Sequence, residues 1–261
     1  MDYNLVNEMG FKYIETKGGK INLLLLHGLF GALSNFNGIL NHFGKKYNVI
    51  VPMLPIYDIP FRKLSVSGLV DYVAQFVKKK NYSTVHVLGN SLGGHIALMY
   101  AMAYPRKIAS LTLTGSSGLF ESAMGATFPK RGDYNYIRKK TEDTFYNPAV
   151  ATKELVDEVF GIVNDRNKAI RVIATAKSAV RNNLRDKLKL IKAPTLLIWG
   201  KHDKVTPPFV GDEFHKLIEN SKLHMLDRCG HAPMMEYPDD FNAYLENFLT
   251  EVSSKEKLSK E

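Results

Sequence analysis

The chain has 261 residues, with 35 Lys and Arg against 26 Asp and Glu, for a net charge of +9 with histidine neutral. Hydrophobic residues make up 45% and charged residues 23%, enough apolar material for a core, which excludes disorder as the main state. Its one cysteine, Cys229, excludes an intramolecular disulfide framework and a cysteine-rich zinc module. The first residues, Met1-Asp2-Tyr3-Asn4, are not basic and lead into no apolar segment. No signal peptide is expected, and the protein is read as cytoplasmic. Phe11 to Glu15 alternates and predicts a strand, and Gly18-Gly19 predicts a turn. Ile21 to Leu26 is a near-continuous apolar run, as in a parallel strand covered on both faces. It is the longest such run and far short of the roughly 20 residues that span a bilayer. Tyr47 to Val51 predicts another strand, stopped by Pro52.

Val66 to Val77 has helical spacing and ends in Lys78-Lys79-Lys80, suited to a helix C-terminus. Thr84 to Leu88 predicts a strand, Leu92 to Tyr104 a helix stopped by Pro105, and Ile108 to Thr114 a strand. Later come a strand at Thr195 to Trp199, a helix at Val210 to Ile218, a strand at Lys222 to Leu226 and a helix at Phe241 to Leu249. Alternating strands and helices imply an α/β fold with a mostly parallel sheet flanked by helices, and ligands at the carboxyl ends of the strands. From Leu119 to Lys192 no strand pattern appears. Helical patterns do, at Leu155, Val156, Val159, Phe160 and Val163, then at Ile170, Ile173, Ala174 and Lys177. The expected organisation is a core of residues 1–118 and 193–261 with a helical cap of residues 119–192. The cap carries 15 basic and 9 acidic residues, a net +6. Such charge reads as ordinary surface lysine and arginine, and neither nucleic acid nor a membrane is expected as partner.

Gly89-Asn90-Ser91-Leu92-Gly93 lies between a predicted strand and a predicted helix. A serine on so sharp a turn needs small neighbours, and it stands at a helix N-terminus that favours developing negative charge. A serine hydroxyl needs a base. His231, in Cys229-Gly230-His231-Ala232-Pro233, follows the last predicted strand and is the best of eight histidines. His86 and His224 fall within strands, and His42, His95 and His215 within helices. Asp203 leaves a strand end in Trp199-Gly200-Lys201-His202-Asp203 and is the acid that would orient the base. Asp227 is the runner-up, but it stands too near His231 in sequence. His27-Gly28-Leu29-Phe30-Gly31 follows the Ile21 to Leu26 strand and is the expected oxyanion loop. The N–H groups of Leu29 and Leu92 are the expected donors, with Phe30 the alternative to Leu29.

These segments, with Gly94 and Gly230-His231-Ala232-Pro233, resemble the α/β-hydrolase fold superfamily over nearly the whole chain. The resemblance is specific for the superfamily and says little of the substrate. The His-Gly-Leu-Phe-Gly segment resembles small bacterial carboxylesterases. Gly-Asn-Ser-Leu-Gly-Gly and the helical insertion resemble a lidded branch that includes meta-cleavage-product hydrolases. Carbon–carbon hydrolases usually have Trp where Ala232 stands and a glycine-rich His-Gly-x-Gly-Pro-Gly loop where Leu29-Phe30-Gly31 stands. Their lid arginine would correspond to Arg181 or Arg185. The family's usual Asp-x-x-Gly-x-Gly is replaced by Pro52-Met53-Leu54-Pro55-Ile56-Tyr57. Haloalkane dehalogenases and epoxide hydrolases carry aspartate at the position of Ser91.

Phe30, Phe120, Met124, Met234 and Met235 flank the motif loops, and some of them should line an acyl pocket. Cys229 is read as an inert buried thiol. No metal or dinucleotide motif appears, so no cofactor is expected. The reading is a serine hydrolase of small or medium carboxylic esters, acting as a monomer or homodimer. Hydrolysis of a carbon–carbon bond in a vinylogous diketo acid, or ligand binding without catalysis, are the alternatives.

Overall fold

The apolar runs become the interior strands of one eight-stranded sheet. The computed structural model describes residues 3–31, 33–120 and 130–258. The strands are β1 (Val6–Glu8), β2 (Phe11–Glu15), β3 (Asn22–Leu26), β4 (Asn48–Pro52), β5 (Val85–Asn90), β6 (Ile108–Thr114), β7 (Thr195–Gly200) and β8 (Ser221–Leu226). They lie in the order β1-β2-β4-β3-β5-β6-β7-β8. β1–β2 and β2–β4 pair antiparallel, and every pairing from β4 across to β8 is parallel. All six of those strands therefore deliver their C-terminal loops to one edge, where crevices form. β1 had no sequence signal. It is three residues long and turns through Met9 and Gly10, both at positive φ.

Two apolar layers enclose the sheet. Leu24 and Leu26 face one, Leu23 and Leu25 the other, as a strand's alternation requires. The first layer is closed by α2 (Val66–Lys79), α3 (Leu92–Ala103) and α7 (Pro208–Leu217). The second is closed by α1 (Asn37–Phe43), α8 (Pro233–Glu236) and α9 (Pro238–Leu258). The side chain of Ser65 caps α2 by accepting from Gly68 N at 3.0 Å, and Lys78 and Lys79 complement its C-terminal dipole.

Between β6 and β7 the chain forms α4 (Tyr134–Glu142), α5 (Lys153–Asn164) and α6 (Arg166–Arg181). Asp133, Thr152 and Asp165 cap them in turn. α6 corrects the sequence reading in one respect. Ile170, Ile173 and Lys177, which predicted the helix, lie on its exposed side. Val172, Thr175, Ala176, Ser178 and Ala179 form its buried side. Small residues decide the packed face because Ser178 must come close enough for its Oγ to accept from Val66 N at 3.0 Å. Among the described residues, no helix is long and apolar enough to cross a membrane.

Candidate active site

β5 passes into α3 through one residue, Ser91, at φ 53° and ψ −118°. Left-handed backbone costs a residue with a β-carbon of order 1–3 kcal/mol unless its surroundings impose it. Here Ser91 N donates to Thr114 O at 3.1 Å, and Ser91 O accepts from Gly94 N at 3.0 Å and Ser117 N at 3.1 Å. The hydroxyl makes no capping bond to α3. Gly93 follows because a β-carbon there would lie 1.9 Å from Leu26 O. Only glycine lets the first turn of α3 press against the end of β3.

His231 lies on the loop after β8 and is buried. Its Nδ1 stands 2.9 Å from Asp203 Oδ2. A carboxylate only accepts, so Nδ1 carries the proton and Nε2 is the basic nitrogen. Asp203, on the loop after β7, is fully engaged. Oδ1 accepts from Val205 N at 2.8 Å and Thr206 N at 2.9 Å, and Oδ2 accepts from Thr206 Oγ1 at 2.8 Å. Trp199, fully buried, donates from Nε1 to Thr206 O at 2.8 Å and ties that loop to the core. The His231 loop meets the Ser91 turn directly: Asn90 Nδ2 donates to His231 O at 3.3 Å. The His231 ring also fills the space above Gly115, with Nδ1 2.8 Å from where a β-carbon would stand. Gly115 directly follows Thr114, the partner of Ser91 N.

The loop after β3 closes the third side. His27 Nε2 accepts from Leu54 N at 3.0 Å, which leaves Nδ1 as the donor to Gly28 O at 2.9 Å. Burial holds the His27 pKa below its ordinary value, so the neutral ring this pattern requires is the stable form. Gly31 N donates to Gly28 O at 3.1 Å and tightens the turn. A β-carbon on Gly28 would stand 3.2 Å from Ser91 Cβ, so the loop backbone lies against the serine. Tyr57 donates from its hydroxyl to Leu29 O at 3.2 Å. Leu29 and Leu92 are both buried at this junction.

Other residues singled out by the sequence fall in several places. Phe30 and Phe120 are half-buried, and the ring of Phe120 packs against Phe209 at 5.2 Å. Met124 lies outside the described residues. Met234 is buried in the second core layer with Phe36 and Phe241, and Met235 packs against that layer. Arg185 pairs with Glu213 at 2.9 Å, and Arg181 is exposed at the end of α6. Asp227 faces solvent, 3.8 Å from His202 Nε2, and not His231. Burial first, and Glu236 second, push the Cys229 thiol far up in pKa, which disfavours the reactive thiolate.

Three further groups build the site without any sequence signal. Glu236 Oε1 accepts from Gly230 N at 2.6 Å, while Oε2 accepts from Tyr146 N at 2.8 Å and Asn147 N at 3.2 Å. One carboxylate thus clamps the His231 loop to the inserted segment, and Thr144 O also accepts from His231 N at 2.9 Å. His95 lies one turn into α3. Its Nε2 donates to Asn182 O at 2.9 Å, so Nδ1 is free to accept from Ser117 Oγ at 3.4 Å. Ser117 also donates to Ser91 O, so the end of α6 is linked to the serine's own peptide. Apart from the bond between Glu236 and Gly230, these contacts join residues at least 22 apart in sequence, which is why periodicity and motif spacing are silent on them.

The family model for the alpha/beta hydrolase fold matches residues 21–238. Monoacylglycerol lipase ABHD6 of Bos taurus is 30% identical, over 93% of this chain and 79% of its own length. A 2-hydroxy-6-oxononadienedioate/2-hydroxy-6-oxononatrienedioate hydrolase of Paraburkholderia phymatum is 27% identical over 93% of this chain and 91% of its own. Among solved structures, MGS-MChE2 is an alpha/beta hydrolase enzyme from the metagenome of sediments from the lagoon of Mar Chica, Morocco. It superposes with a TM-score of 0.79 at 40% identity, covering 95% of this chain and 98% of that one. The sheet order, the family match across most of the sequence and the near full-length relatives agree: the chain belongs to the α/β-hydrolase fold family and is a hydrolase.

Proposed function

We propose that this hydrolase cleaves a small or medium carboxylic ester through an acyl-enzyme on Ser91. The observation that carries the reading is the buried 2.9 Å contact between His231 Nδ1 and Asp203 Oδ2, beside a serine at φ 53°. Ser91 Oγ attacks the ester carbonyl carbon as His231 Nε2 takes its proton. The N–H groups of Leu29 and Leu92 receive the oxyanion. Collapse expels the alcohol, which leaves with the proton from His231. Water then gives a proton to His231 and attacks the acyl carbon, and the acid departs as Ser91 recovers its proton. Residues 119–192 act as a cap over this site, and Phe30 and Phe120 line its acyl pocket. The similarity to a lipase over most of the chain supports ester chemistry.

The test is a series of p-nitrophenyl esters from acetate to laurate, run beside Ser91→Ala. Replacing the serine should lower turnover about 10⁴- to 10⁶-fold and abolish labelling by an organophosphonate. Labelling that persists in Ser91→Ala would overturn the assignment. A second reading is hydrolysis of a carbon–carbon bond in an anionic diketo acid. The Paraburkholderia relative and the net +6 of residues 119–192 support it. Faster turnover of such an acid than of any simple ester would make it the correct one.

A further inference from the structure

The outer side of α6 is not that of an ordinary surface helix. From Arg166 to Arg181 it carries five cations and no acidic residue. Ile170, Ile173 and Val180 are 45%, 39% and 49% exposed. They share the solvent side with Arg166, Lys177 and Arg181 at helical spacing. A helix buried on its opposite side normally turns polar groups outward. Elsewhere on the inserted segment Arg138, Lys139, Lys153, Arg185 and Lys192 pair with carboxylates. Among the described residues, Arg166, Lys177 and Arg181 form no ion pair.

The surface continues onto the turn Phe61–Lys63, where Phe61 is 55% exposed and Arg62 and Lys63 are exposed beside it. Arg171 stands 5.9 Å from the Phe61 ring centre and donates to Ile59 O at 2.6 Å. Phe61, Ile170, Arg171, Asn167 and Tyr57 together line a cavity of about 390 Å³. Tyr57 reaches from that cavity to Leu29 O, so the surface adjoins the wall of the candidate active site.

We propose that the outer side of α6, with the Phe61–Lys63 turn, docks peripherally on an anionic lipid bilayer. Separate aliphatic side chains ringed by unpaired cations match the boundary between phosphate headgroups and acyl chains. There the aliphatics leave water while the cations stay with phosphates. The cavity, lined by a guanidinium, an amide and a phenol ring, has the size and chemistry for one phosphate headgroup. Docking does not depend on the chemistry assigned to Ser91, and Ser91→Ala binds as the unaltered chain does.

The experiment is co-sedimentation of the full chain with vesicles of phosphatidylcholine alone and of phosphatidylcholine mixed with phosphatidylglycerol. The chain should bind the mixed vesicles and only weakly the neutral ones, and about 0.5 M salt should release it. The triple variant Arg166→Gln, Lys177→Gln, Arg181→Gln should lower partitioning about 100-fold, at about five-fold per cation. Ile170→Ser with Ile173→Ser should weaken it independently of salt. Both variants alter exposed positions and should keep the unfolding midpoint and the turnover of a short soluble ester. Absence of binding to the mixed vesicles overturns the proposal, as does equal binding by both variants. So does self-association on a sizing column that the isoleucine variant removes while vesicle binding is nil, which would make this face a contact between copies.

Discussion

Asp203 is held by more donors than a turn aspartate needs. Val205 N, Thr206 N and Thr206 Oγ1 set the carboxylate plane from within its own loop, and the fourth donor is His231 Nδ1. Asp203→Asn keeps the shape and reverses the hydrogen bond. An amide NH₂ facing the ring makes Nδ1 an acceptor and places the imidazole proton on Nε2, where the proposed mechanism needs a base. Steady-state kinetics on an ester substrate should show kcat falling about 10⁴-fold with KM little changed. An unchanged kcat would remove Asp203 from its assigned role. Asp203 and His231 were legible in the sequence because each follows a predicted strand within a few residues. Thr206 was not, since no motif marks a bond back to an aspartate three residues earlier, and Glu236 and Tyr57 were not, since they bond to loops that folding brings near.

At the scale of elements, the site depends on how close α3 sits to β3. The loop after β3 lies against Ser91 because Gly93 admits the Leu26 carbonyl to the first turn of α3. Gly93→Ala places a methyl 1.9 Å from that oxygen and 2.9 Å from His27 O. Neither acceptor is the end of a flexible side chain, so helix and strand must separate. Urea denaturation should show a loss of about 3 kcal/mol or more. Any folded fraction should hydrolyse esters at least about 100-fold more slowly, because the loop proposed to hold the oxyanion moves away from the serine. Stability within 1 kcal/mol of the unaltered chain would mean that the elbow tolerates the shift. The strand–glycine–serine–helix pattern marked this junction in the sequence. The distance across it is a property of two elements that are 67 residues apart at Leu26 and Gly93.

For the molecule as a whole, three buried histidines set the response to acid. His86 sits in the central strand β5 with Nδ1 2.8 Å from Ser110 Oγ, and His95 sits in α3. Burial lowers both from 6.5 to about 4, and it lowers His27 as well. The unfolded chain binds protons at the His86 and His95 rings below about pH 6.5, and the folded chain does not until about pH 4. Their stabilising contribution is therefore complete above pH 6.5 and is lost as pH falls towards 4. Each ring contributes a slope of about 1.4 kcal/mol per pH unit in that window. Urea midpoints measured from pH 7.5 to 4.5 should fall with acid, and His86→Gln should flatten the slope by about one proton. A profile independent of pH across this range would mean that the rings are solvated in the native state.

The sequence by itself determined the alternation of strands and helices, the helical segment between β6 and β7, and the placing of Ser91, Asp203 and His231 after strands. Those features are carried by local signals: apolar periodicity, strand-ending prolines and glycines, and a motif whose residues are contiguous. Parallel strands share one direction, so placing Ser91, Asp203 and His231 just after β5, β7 and β8 was enough to put them at one edge. Tertiary structure alone decided the rest. Met234 joins the core because α8 packs against α1 and α9. Arg185 is neutralised by Glu213, a partner 28 residues away. α6 buries its small residues and turns its isoleucines outward, although the same periodicity would have served either face. Periodicity tells that a helix has two sides. Which side is buried depends on the surface it meets, and that surface is assembled from the rest of the chain.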